Sequence, residues 1–78
     1  MKTKLKMPKI SDTANEMVVV EVLVSVGEQI RKDQVLFTVE TDKSVVEIPS
    51  PFDGTIFEIL VSENGEVNIG DQTIIIES

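Results

Sequence analysis

The chain contains no cysteine, no histidine, no tryptophan and no tyrosine. Without Cys or His there is no thiolate zinc site, no imidazole ligand, no disulfide framework and no Ser-His or Cys-His nucleophile pair. An autonomous hydrolase is thereby disfavoured, and a small cysteine-free domain suits a reducing compartment, bacterial cytoplasm or an organelle matrix. Aromatic residues are limited to three Phe, so the core falls to Val, Ile and Leu, a composition that favours strands. No apolar stretch approaches the roughly 18 residues of a membrane span, and no signal-peptide h-region follows the lysine-rich start. Positive charge is scarce: seven basic residues stand against 14 acidic ones, for a net charge of −7. Because Lys2, Lys4, Lys6 and Lys9 are all in the first ten positions, the remainder is strongly acidic. Such a surface repels nucleic acid phosphates and anionic lipid head groups. It also lacks the basic groove and aromatic platform of a single-strand binder, so neither nucleic acid nor membrane is expected as a partner.

With 41% hydrophobic and 27% charged residues, the chain has material for one compact core. A chain of 78 residues buries only about 60% of its unfolded surface, which leaves no room for a second core, so residues 1–78 read as one domain. The hydrophobic period is two nearly throughout. Val18, Val20, Val22, Val24 and Val26 share one face of an extended segment over residues 17–26, with Glu21 and Ser25 on the other. Comparable runs lie at residues 35–40, 45–49, 54–61 and 73–77, and none is long enough for a helix. At residues 2–7 lysines alternate with Thr, Leu and Met, as in an edge strand whose outward charges discourage association. Asn64-Gly65 predicts a type I′ hairpin turn. Pro49 and Pro51, flanking Ser50, are expected to stop ladder pairing.

Sliding the chain against itself by 37 positions reveals an internal repeat. Glu21-Val22-Leu23-Val24-Ser25 falls on Glu58-Ile59-Leu60-Val61-Ser62, Ile30 on Val67, and Val39-Glu40 on Ile76-Glu77. Two copies are too few for a solenoid. They predict an all-β fold, a flattened barrel or barrel-sandwich hybrid of two similar antiparallel sheets related by a pseudo-two-fold axis, with halves at about residues 1–41 and 45–78. The expected core comprises the positions apolar in both copies: Val20 with Phe57, Val22 with Ile59, Val24 with Val61, Phe37 with Ile74, and Val39 with Ile76. Glu21 and Glu58 are expected to point outward.

Between the halves stands Thr41-Asp42-Lys43-Ser44, whose Thr, Asp and Ser favour tight turns by bonding their own backbone. Lys43 is therefore expected at a hairpin tip, where a free amine is protonated at neutral pH, its reference pKa being about 10.4. Spacing alone leaves it a solvated turn lysine or a functional group.

The segment Glu40-Thr41-Asp42-Lys43-Ser44 resembles the attachment motif of the lipoyl domains of 2-oxo acid dehydrogenase complexes, which share one small β fold with biotinyl carrier domains. Val26-Gly27-Glu28, Val46-Glu47-Ile48-Pro49-Ser50-Pro51, Asp53-Gly54-Thr55-Ile56 and Ile69-Gly70-Asp71 resemble the family's flanking elements in order, so the resemblance covers nearly the whole chain. It implies that Lys43 carries lipoate in amide linkage, and that Glu40, Thr41, Asp42 and Ser44 form the turn read by a lipoate ligase or transferase. The loop Ser11, Asp12, Thr13, Ala14, Asn15 and Glu16 takes the place that in the family assists recognition by the partner decarboxylase. Two departures are Met17, where many relatives have glycine, and Asp33-Gln34, where the first repeat commonly has Gly-Asp.

By the same resemblance the domain is the swinging-arm carrier of a dihydrolipoamide acyltransferase, with no catalytic residue or metal of its own. Its implied partners are a thiamin-diphosphate 2-oxo acid decarboxylase, the acyltransferase catalytic domain and dihydrolipoamide dehydrogenase. Pyruvate-type and acetoin-type complexes fit the motif, as do 2-oxoglutarate and branched-chain systems. The alternatives are a biotin carrier, whose acceptors usually show Met-Lys-Met where this chain has Asp42-Lys43-Ser44, and an unmodified β-barrel interaction module.

Overall fold

The computed structural model describes residues 1–7, 16–41 and 44–78, the side chain of Glu16 excepted. Among the described residues eight strands follow one another: β1 (Lys2–Lys6), β2 (Glu16–Val22), β3 (Gln29–Ile30), β4 (Val35–Glu40), β5 (Val45–Pro49), β6 (Gly54–Ile59), β7 (Glu66–Asn68) and β8 (Gln72–Glu77). They form two four-stranded antiparallel sheets, ordered β1-β8-β6-β3 and β5-β4-β2-β7. The orders superimpose under the repeat: β5 corresponds to β1, β4 to β8, β2 to β6 and β7 to β3. The match extends to single bonds. Gly27 N–H donates to the Ile56 carbonyl at 2.8 Å, and Asn64 N–H to the Val19 carbonyl at 2.7 Å, each tying a turn of one half to the central strand of the other. These are the pseudo-two-fold-related sheets of a flattened barrel.

The core is common to both sheets and includes Met17, Val19, Leu36, Phe37, Val39, Ile48, Ile56, Ile74 and Ile76. Phe37, Ile74, Val39 and Ile76 are buried as the repeat predicts, and Val24 joins them. Val22, Ile59 and Val61 pack against the core half-buried. The pair Val20 and Phe57 corrects the expectation, being 41% and 44% exposed. Register shifts between Val19 and Glu21 in β2, and between Ile56 and Glu58 in β6, make these the extra residues of two symmetry-related bulges. A bulge inserts one residue and reverses the alternation, so the inward set runs Met17, Val19, Val22 instead of Val18, Val20, Val22. Val18 is accordingly exposed, whereas Val26 is exposed because β2 ends at Val22 and Val26 lies in the Ser25–Glu28 turn. Glu21 and Glu58 do point outward.

β1 is an edge strand with Lys2, Lys4 and Lys6 exposed, and the Lys2 ammonium sits 3.8 Å from the Phe57 ring centroid. Among the described residues four turns have positive φ at their third residue: Gly27 and its repeat mate Asn64, and Asp33 with its mate Gly70. The expected type I′ hairpin at Asn64-Gly65 is therefore replaced. Only Asn64 has positive φ, Gly65 N–H donates to the Ser62 carbonyl, and the turn carries the chain from β6 in one sheet to β7 in the other. The β4-β5 ladder ends at Pro49, as the prolines lead one to expect, but Ser50 keeps backbone partners beyond it. Asp33 N–H donates to the Ser50 carbonyl and Ser50 N–H to the Gln34 carbonyl, both at 2.8 Å. Pro49 sits on the edge strand β5, where its missing N–H is tolerated. Buried Ser50 and Thr73 donate their hydroxyls to the Phe52 and Leu5 carbonyls. Among the described residues no buried side-chain polar atom lacks a partner.

Candidate functional site

Strands β4 and β5 pair because both are rich in β-branched residues and alternate in phase, Val39 opposite Val46 and Phe37 opposite Ile48. Leu36, Phe37 and Val39 are wholly buried, which anchors the base of this hairpin in the common core. The last ladder rung is Glu40 opposite Val45. Beyond it Thr41 N–H donates to the Ser44 carbonyl at 2.8 Å. The Thr41 hydroxyl donates to that carbonyl at 3.0 Å and accepts the Ser44 N–H at 3.2 Å, since a hydroxyl is both donor and acceptor. Three bonds thus hold the two ends together, and the chain passes from one to the other through two residues, 42 and 43.

Of the expected turn and ligase-recognition residues, Glu40, Thr41 and Ser44 are brought together at this closure, with Glu40 and Ser44 exposed and Thr41 half-buried. Asp42 and Lys43 lie outside the described residues, as do Ser11, Asp12, Thr13, Ala14 and Asn15 of the expected recognition loop. Glu16 opens β2 opposite Asn68 of β7.

One feature of the surface escaped the reading of the sequence. On the outer face of the β5-β4-β2-β7 sheet, the rung next to the turn runs Val45, Glu40, Val18, Glu66, all four exposed. Comparing the two repeats at surface positions, and not only at shared apolar ones, would have singled it out. The repeat mates of Val45, Val18 and Glu66 are Lys2, Thr55 and Gln29, which carry none of that apolar and acidic character.

Among the described residues no cluster of His, Cys, Asp or Glu is arranged to hold a metal ion, and no helix is long and apolar enough to cross a membrane. A concavity of about 840 Å³ is lined by residues of β3, β6 and β8 with Arg31, Asp53 and Ser78, and by none of the described hairpin residues. What the hairpin offers is a short, hydrogen-bonded platform on a rigid base, suited to presenting a side chain at a fixed place.

Comparison with known proteins agrees with that geometry. The biotin/lipoyl family model, described as "biotin-requiring enzyme", matches residues 3–76. The chain is 38% identical over all 78 residues to the dihydrolipoyllysine-residue acetyltransferase component of the pyruvate dehydrogenase complex from Staphylococcus epidermidis, and equally to that from Staphylococcus aureus. It spans 18% of the length of these curated relatives. Among solved structures it is similar to the lipoyl domain of the 2-oxoglutarate dehydrogenase complex from Azotobacter vinelandii, with TM-score 0.78 and 27% identity over 96% of this chain and 95% of that one. A single-chain, multi-domain long-chain acyl-CoA carboxylase shares the fold over 97% of this chain and 7% of its own, with TM-score 0.80 and 20% identity.

Proposed function

Because the chain belongs to the biotin/lipoyl family, whose members share this two-sheet fold, we propose that it is the lipoyl carrier domain of a dihydrolipoyllysine acetyltransferase, with lipoate amide-linked to Lys43. The observation that carries the reading is the closure of Thr41 on Ser44, which leaves a two-residue bridge, Asp42-Lys43, between two copies of one repeat. The residues beside the lysine, Asp42 and Ser44, match the lipoyl motif and not the Met-Lys-Met of biotin acceptors. The curated relatives point to a pyruvate dehydrogenase complex, so pyruvate is the substrate class and acetyl the group carried.

Lipoate, when attached, supplies a dithiolane that takes up an acyl group together with two electrons. The chain's own task is presentation. Thr41 and Ser44 hold the bridge, Glu40 and Asp42 give the ligase a carboxylate pattern to read, and the buried β4 strand fixes the whole against the core. Amide formation removes one cation from a chain of net charge −7, which makes the loaded carrier still more acidic. No catalytic side chain is required, because a tethered group reaches successive sites by effective concentration. The sites are those of the thiamin-diphosphate decarboxylase, the acyltransferase domain and dihydrolipoamide dehydrogenase, in bacterial cytoplasm or an organelle matrix.

The test is to lipoylate the domain with a lipoate ligase and offer it to a thiamin-diphosphate pyruvate decarboxylase with pyruvate. Acetylation of the wild-type domain and none of Lys43→Ala is the expected result. Acetylation of the Lys43→Ala variant, or a wild-type domain that the ligase leaves untouched, would remove the proposal.

A further inference from the structure

The turn between β6 and β7 is clamped to β2 through its backbone. Asn64 N–H donates to the Val19 carbonyl at 2.7 Å, Val19 N–H donates to the Gly65 carbonyl at 2.8 Å, and Gly65 N–H closes the turn on the Ser62 carbonyl at 2.9 Å. The Glu63 carboxylate accepts the Val22 N–H at 3.2 Å. Val19 and Val22 lie on the two sides of the β2 bulge, so this turn sets the bulge as well as the crossing from one sheet to the other.

The repeat mate of the turn makes the same backbone bonds with different residues. Gly27 N–H donates to the Ile56 carbonyl, Ile56 N–H to the Glu28 carbonyl, and Glu28 N–H to the Ser25 carbonyl. Positive φ falls on Gly27 there and on Asn64 here, at 91° and 68°. The fold therefore needs neither an asparagine amide at the one position nor a glycine at the next. Together they make a reactive pair. Asn64 is exposed, and Gly65 has no side chain to hinder its nitrogen from reaching Asn64 Cγ. The other asparagines, Asn15 and Asn68, precede the bulkier Glu16 and Ile69.

We propose that Asn64-Gly65 is a self-modification site that the folded turn keeps shut and that opening of the turn releases. The Gly65 amide nitrogen attacks Asn64 Cγ. The N–Cγ bond forms, the Cγ–Nδ2 bond breaks, and Nδ2 leaves as ammonia with the proton of the Gly65 N–H, which leaves a cyclic imide. Water then opens the imide at one of its two carbonyls, giving aspartate or, with the chain rerouted through Cβ and Cγ, isoaspartate. No electrons are exchanged, and water is the only co-reactant.

Two features shut the site in the folded chain. The Ser62 carbonyl holds the Gly65 N–H, which opposes loss of its proton. A residue in the left-handed region has ψ of about +47°, and at that angle the following nitrogen points away from Cβ, out of reach of Cγ. The two products then differ in fit. Aspartate keeps the chain length and belongs to the types that tolerate positive φ. Isoaspartate inserts a methylene between the Asn64 N–H and the Gly65 carbonyl, the two groups that grip Val19. The clamp loses its spacing, so a turn that has reacted this way does not reclose.

The test ages the domain in warm buffer, folded and in urea, and maps peptides for conversion of the Asn64 amide to an acid, with aspartyl and isoaspartyl forms separated by chromatography. The unfolded chain is expected to convert at residue 64, and the folded chain at least about tenfold more slowly, as for a reaction that waits on local opening. Asn64→Gly, which copies Gly27, should keep the parent's Tm and remove most of the mass gain seen in urea. The isoaspartyl protein, isolated and refolded, should lose amide-exchange protection at Val19 and Val22 and melt below Asn64→Asp, which should keep both. Equal rates in the folded and unfolded chain, or no conversion in urea, would overturn the shut site. An isoaspartyl protein that matches Asn64→Asp in Tm and protection would overturn the broken clamp.

Discussion

At the scale of single residues, Gly27 and Gly54 show two unrelated reasons for glycine. Gly27 has φ of 91° with nothing within 4 Å of where a Cβ would lie, so its demand is conformational. Gly54 has no such φ, but a Cβ there would meet Ile76 Cγ2 at 2.6 Å and the Glu77 carbonyl oxygen at 2.8 Å. Gly27→Ala is expected to cost about 1 kcal/mol, the left-handed penalty alone. Gly54→Ala should cost about 2–3 kcal/mol by overpacking a β strand against its neighbour's backbone. Urea unfolding of both variants checks this, and equal losses would contradict the distinction. The repeat mate of Gly54 is Met17, whose side chain is buried in the core. Asp33 adopts φ of 70° and thus takes the conformation of its mate Gly70, at a residue type that tolerates it.

At the scale of elements, the long strands and the hairpin between the halves were legible in the sequence because their apolar residues alternate and their ends carry turn formers. The two bulges were not. Nothing in Val18-Val19-Val20 says which valine is the inserted one, and the choice is made by pairing with β4. The two-residue β3 and three-residue β7 were also missed, since a segment so short has no period to read. The bulge assignment is testable. Val20→Asp should change stability by about 0.5 kcal/mol at most, as at other exposed sites. Val39→Asp, which buries an unpaired charge, should unfold the domain. Thermal melts that rank the two in the opposite order would restore the unbroken alternation. In the hairpin, Thr41→Ala removes the hydroxyl bonded to both the carbonyl and the N–H of Ser44. A loss of about 1 kcal/mol is expected, together with slower lipoylation, and Thr41→Ser should recover both. Unchanged kinetics in the Ala variant would mean that the closure is not what a ligase reads.

At the scale of the whole molecule, the pseudo-symmetry reaches the chain ends. Ser78 N–H donates to the Met1 carbonyl at 2.9 Å, as Thr41 N–H donates to the Ser44 carbonyl at 2.8 Å, and the Met1 ammonium donates to the Ser78 carbonyl at 2.8 Å. The termini therefore form the rung that the 41–44 turn closes in the other half. Joining Ser78 to Met1 through two residues is expected to raise stability by up to about 4 kcal/mol, through the restricted unfolded chain. An unaltered Tm would show that the rung does not persist in solution. The sequence also departs from the repeat where the halves join, with Lys43 between Asp42 and Ser44. Whether Lys43 is a lipoyl acceptor is decided by intact mass with peptide mapping, on protein expressed with lipoate, biotin and both ligases supplied. A single lipoyl group, confined to the peptide containing Lys43, is the predicted result. Biotin at Lys43, or an unmodified lysine in folded protein, would contradict it.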